Sequence, residues 1–97
     1  MAEKFERPTE GMASLTEEIK VNMAIIRQQL NKGELIIDNE FWDFNMERAD
    51  FVYITYHADH EEYIAKIFFS TQTVYVVFDK NLKPINIELY NRLPHEI

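Results

Sequence analysis

The sequence predicts an α+β domain: one N-terminal amphipathic helix packed on an antiparallel meander sheet of four to six strands. Three observations carry this expectation. Apolar residues recur every three to four positions before Gly33 and every two positions after it. The links between the later apolar runs are short and polar, which favours antiparallel neighbours over crossovers. The 97 residues suffice for one modest core and leave little room for a second folding unit.

Residues 1–13 hold Pro8 and Gly11 with little periodicity, so they read as a flexible lead, and residues 14–97 read as the single domain. Ser14 followed by Glu17 is a capping-box pattern, in which the hydroxyl takes an orphan amide and the carboxylate reaches back. Leu15, Ile19, Met23, Ile26 and Leu30 then line one helical face, with Val21 and Ile25 widening it. Lys32 falls in the last turn, and Gly33 is placed for a left-handed C-cap.

Beyond Gly33 the runs Glu34–Asp38, Phe51–His57, Glu62–Ser70, Thr73–Asp79 and Pro84–Tyr90 are rich in Val, Ile, Phe and Tyr, as strands are. The segment 39–50 reads two ways. Trp42, Phe44 and Met46 alternate with Asp43 and Asn45, which suits a strand, while Asn45–Ala49 also suits a helical turn. In the central strands Ile64, Phe68, Tyr75 and Val77 mark one side, and Ala65, Ile67, Phe69, Val74, Val76 and Phe78 the other. One helix covers one face, and a sheet apolar on both faces expects cover on both. The second cover is either a second copy of the chain, making a homodimer, or residues 39–50.

Composition removes several classes of function. There is no cysteine, hence no disulfide, no thiolate metal site and no cysteine nucleophile. A net charge of −7 argues against direct contact with nucleic acid and against docking on an anionic membrane. No apolar run is long enough to span a bilayer, and the first residues match neither a secretory signal nor a transit peptide, so a cytoplasmic location is expected.

The charge is uneven. Residues 34–62 hold nine acids, Glu34, Asp38, Glu40, Asp43, Glu47, Asp50, Asp59, Glu61 and Glu62, against the single base Arg48. The remainder of the chain is close to neutral. Phe41, Trp42, Phe44, Phe51, Tyr53 and Tyr56 are interleaved with these carboxylates, so the block has the anchors that a disordered acidic tail lacks. Spaced carboxylates on a folded surface would partly imitate a phosphate row or complement a basic cleft. The plainer reading is a solvated face. Trp42, the only tryptophan, is either a core plug or, with Phe41, an apolar interface anchor.

Catalytic motifs are sparse. His57, Asp59, His60, Glu61 and Glu62 lie close in sequence, and His57, His60 and Glu61 would suit a divalent metal, but the spacing matches no zinc-site pattern and falls on a turn. Gly11 and Gly33 are the only glycines and stand alone, which removes glycine-rich phosphate loops. Ser14 and Ser70 have no nucleophile-elbow context. The expectation is therefore a small acidic protein without enzymatic activity, cofactor or metal. It would occlude a basic site on a nucleic-acid-binding enzyme or toxin through Glu34, Asp38, Glu40, Asp43, Glu47, Asp50, Asp59, Glu61 and Glu62, with Phe41 or Trp42 as anchor. In size and charge the chain is similar to small acidic inhibitors of nucleases and to toxin immunity proteins, although no motif carries that likeness. The alternatives are a homodimeric assembly subunit whose acidity serves solubility, and a metal-dependent enzyme at His57 and His60.

Overall fold

The computed structural model describes residues 2–91, with side chains described from Thr16 onward. Helix α1 (Ala2–Asn31) leads into β1 (Glu34–Ile37), β2 (Glu40–Asp43), a 3-10 turn over Met46–Arg48, β3 (Phe51–His57), β4 (Glu62–Phe68), β5 (Gln72–Phe78) and β6 (Pro84–Asn91). β1 and β2 pair as a hairpin, and β3 to β6 form a four-stranded antiparallel meander in chain order. This is the α+β arrangement of a helix on antiparallel strands. α1 runs through residue 14, so the helix does not begin at the cap expected there. The side chains of the lead expected over residues 1–13 lie outside the described residues, and 92–97 lie outside them altogether.

The helix reaches the core through a narrow stripe. Ile26 and Leu30 are fully buried and Ile19 and Met23 pack beside them. Val21 and Ile25 do not widen that stripe as their spacing suggests; both stay exposed. At about 100° per residue they lie to the side of the Ile19–Ile26–Leu30 line, out of reach of a single sheet face. Asn22 Nδ2 donates to the Tyr63 hydroxyl at 2.8 Å, and Gln29 Nε2 donates to the Leu82 carbonyl at 3.0 Å, fixing the helix to β4 and to the β5–β6 turn. The Arg27 guanidinium donates to the Val52 carbonyl of β3 at 3.5 Å.

Gly33 ends the helix in the left-handed region, at φ 75°, and its amide donates to the Leu30 carbonyl at 2.8 Å. Its own carbonyl accepts from the Phe44 amide at 2.7 Å, so the chain entering β1 is tied to the chain leaving β2. Between them Asp38 (φ 53°) and Asn39 (φ 66°) make a two-residue left-handed turn, which matches the natural twist of a hairpin. Both readings of 39–50 therefore occur in succession, a strand over Glu40–Asp43 and then a 3-10 turn over Met46–Arg48. Asn45 starts that turn by accepting the Glu47 amide on its side-chain oxygen at 3.2 Å.

The meander buries one face. Ile54, Tyr63, Ala65, Ile67, Val74, Val76 and Phe78 meet Ile26, Leu30, Leu35 and Ile37 in one cluster. Trp42, Phe44 and Met46 pack against that same cluster. Residues 39–50 thus do not cross to the second face as one sequence reading allowed, because the hairpin shares the side of the sheet that α1 occupies. Among the described residues no helix is long and apolar enough to cross a membrane.

Candidate functional site

The acidic residues are positioned by three different elements. Four belong to the hairpin. Its register pairs Glu34 with Asp43, Leu35 with Trp42, Ile36 with Phe41 and Ile37 with Glu40. Strand alternation turns Leu35, Ile37 and Trp42 toward the core and Glu34, Ile36, Phe41 and Asp43 outward. Asp38 and Glu40 are exposed at the tip. The outward side is therefore an apolar pair, Ile36 at 66% and Phe41 at 61% exposure, bordered by carboxylates. None of Glu34, Asp38, Glu40 and Asp43 forms an ion pair with another described residue. Glu34 and Asp43 face each other directly across the two strands, an arrangement that repels and destabilises a ladder.

Glu47 and Asp50 follow on the connection into β3, both exposed. The Asp50 amide donates to the Phe68 carbonyl at 2.7 Å and starts the β3–β4 pairing. The other three acids are elsewhere. Asp59 and Glu61 sit in the turn after β3, and Glu62 opens β4. Seven residues of β3 separate that turn from Asp50, about 23 Å at strand rise. The hairpin lies against β6 and α1, whereas β3 is the opposite edge of the meander. The nine carboxylates expected on one wall therefore divide: Glu34, Asp38, Glu40 and Asp43 gather on the hairpin, Glu47 and Asp50 lie on the connection into β3, and Asp59, Glu61 and Glu62 occupy the turn at the other end of β3.

The anchor pair divides as well. Trp42 is half-buried against the core opposite Leu35, while Phe41 points to solvent. Ile36, absent from the sequence reading of the site, stands beside Phe41; the period-two pattern starting at buried Leu35 is the signal that would have found it. The histidine string does not assemble. His57 Nε2 lies 3.1 Å from Thr55 Oγ1 on the strand, and His60 and Glu61 belong to the turn beyond it. Among the described residues no group of three or more His, Asp or Glu side chains is placed to hold a metal ion.

The chain matches no protein-family model, no curated protein and no solved structure.

A second surface accompanies the hairpin. The meander face turned away from α1 carries cross-strand rows at one register each: Phe51, Phe68, Thr73 and Tyr90; then Tyr53, Lys66, Tyr75 and Glu88; then Thr55, Ile64, Val77 and Asn86. Phe51 stacks on Phe68 with ring centres 4.4 Å apart, and Tyr75 meets Tyr90 edge-on at 5.0 Å. Lys66 Nζ lies 5.3 Å from the centre of the Tyr75 ring. The Tyr90 hydroxyl donates to Glu88, and that bond, together with partial desolvation, raises the Tyr90 phenol above its usual pKa.

Proposed function

We propose that the protein is a non-enzymatic acidic binding protein that docks its β1–β2 hairpin on the basic surface of another protein. The reading is supported above all by the outward side of the hairpin, where the exposed Ile36–Phe41 pair is flanked by Glu34 and Asp43, with Asp38 and Glu40 exposed at the tip beyond it. A partly apolar centre with a charged rim is the usual make-up of a protein-docking surface, the centre giving affinity and the rim steering encounter. A like-charge pair held opposite itself weakens the isolated hairpin, and a cationic partner would relieve it. The partner class that fits is a nucleic-acid-binding enzyme or toxin, whose Lys and Arg otherwise hold phosphates. The carboxylates would compete with phosphate for them. Glu47 and Asp50 would lengthen the contact, while Asp59, Glu61 and Glu62 would remain outside it.

The test is capture from host extract on the immobilised protein, followed by a nucleic-acid-binding assay of the captured protein with this chain added. Capture at low salt, release at high salt and loss of nucleic-acid binding are expected. The Asp38→Asn/Glu40→Gln/Asp43→Asn variant should fold and lose capture. Equal capture by that variant, or undiminished nucleic-acid binding by the captured protein, defeats the reading.

A further inference from the structure

The open face of the meander is built largely from apolar and aromatic groups, with Glu62 at one end of β4, and its middle register holds one cation and one anion. Phe51, Tyr53 and Tyr90 are 56%, 61% and 49% exposed, and Ile64, Phe68 and Val77 lie among them. A contiguous patch of this kind on a small domain marks an interaction surface. Lys66 on β4 and Glu88 on β6 both pair with Tyr75 on β5, one on each side. Two strand spacings, about 9.6 Å, keep them apart, and among the described residues neither forms an ion pair.

That spacing is self-complementary in one orientation. A two-fold axis running along β5 through Tyr75 brings β4 of one copy over β6 of the other. Lys66 then faces Glu88 of the second copy, and by symmetry the pair occurs twice. Tyr75 meets its own equivalent on the axis, and Phe68 meets Tyr90. An axis perpendicular to the strands at the same point lays each strand on its own equivalent, so Lys66 opposes Lys66 and Glu88 opposes Glu88. Sheets packed face to face sit about 10 Å apart, a gap that side chains of this length bridge from both sides.

We propose that the open β3–β6 face binds a second copy of this chain, with the two-fold axis along β5 and Lys66 of each copy paired with Glu88 of the other. The arrangement is independent of the hairpin reading. The hairpin shares the α1 side of the sheet, so a dimer joined through the opposite face leaves both hairpins free.

Sedimentation equilibrium of the full chain over a concentration series tests the proposal. The wild-type protein is expected to be dimeric. Lys66→Glu and Glu88→Lys should each weaken the dimer by about tenfold or more, because each places like charges together twice. Mixing those two variants should restore a dimer containing one copy of each, since every mixed contact is again opposite in sign. The Lys66→Glu/Glu88→Lys variant should recover self-association, which keeps the test valid should one single variant fail to fold. A wild-type monomer up to about 1 mM overturns the proposal, whether the face stays open or residues 92–97 cover it. A dimer indifferent to the single substitutions, or one that neither mixing nor the double exchange restores, also overturns it. None of these outcomes bears on partner capture by the hairpin.

Discussion

Gly33 and Phe44 are locked backbone to backbone. The Phe44 amide donates to the Gly33 carbonyl at 2.7 Å, and a Cβ on Gly33 would lie 2.6 Å from the Phe44 carbonyl oxygen. Gly33 also holds φ 75°, where an L side chain is strained. Gly33→Ala therefore meets two obstacles, a left-handed backbone and a backbone atom that cannot swing aside. A loss of about 1–3 kcal/mol is expected, read as a lower urea midpoint at unchanged slope.

Relief of the Glu34–Asp43 opposition should raise stability. Asp43→Lys converts a repelling cross-strand pair into an attracting one, worth roughly 0.5–1 kcal/mol in the urea midpoint at low salt. The gain should shrink in high salt as the charges are screened. The same substitution should weaken partner capture, so stability and binding move in opposite directions.

The hairpin turn offers a second way to stabilise the fold. Asn39 tolerates φ 66°, but glycine does so at no steric penalty, so Asn39→Gly should add a few tenths of a kcal/mol, whereas Asn39→Val should remove about 1 kcal/mol or more. Thermal unfolding of the two variants beside wild type measures both. A stabilising Asn39→Val would mean that the turn has another geometry.

Phe78, the last residue of β5, is fully buried on the covered face and pairs with Tyr63 of β4. Phe78→Ala should cost about 3–5 kcal/mol, enough to unfold much of a domain this small. Loss of the cooperative unfolding transition is the expected observation. A variant with an unshifted midpoint would place Phe78 outside the core.

Tyr90 titrates above the usual phenol value because its hydroxyl donates to Glu88 and a phenolate there would face that carboxylate. The sign follows from linkage. A phenol whose pKa is raised on folding stabilises the neutral folded form, so its contribution is complete below the unfolded tyrosine pKa of about 10 and fades as pH climbs through the raised value. Glu88→Gln should move the Tyr90 pKa down, followed by the pH dependence of its ring resonances.

Much of the fold was legible in the residues. The shift from helical to strand period at Gly33, the glycine cap and the two-sided pattern of Ile64 to Val77 all reappear in the structure. The hairpin was half legible. Its turn has no Asn-Gly or Asp-Gly signature, because Asp38 and Asn39 take left-handed φ without a glycine, so β2 had no visible start. The grouping of the carboxylates was not legible at all. Spacing along the chain put Asp50 and Asp59 in one block, while a full strand lies between them, and which edge of the meander the hairpin occupies is set by packing of Leu35, Ile37 and Trp42 on distant residues. Ile36 escaped notice because an isolated isoleucine in a strand looks like core until the register shows which way it points.

β3 forms an outer border of the meander, and its far side offers backbone groups to any passing chain. Arg27, reaching from α1 to the Val52 carbonyl, guards part of that border. The helix thus serves as a fence as well as a lid. Proteolytic removal of α1 would bare the border and the former interior together, and the clipped product should grow by strand addition into insoluble ladders instead of persisting as a smaller soluble domain.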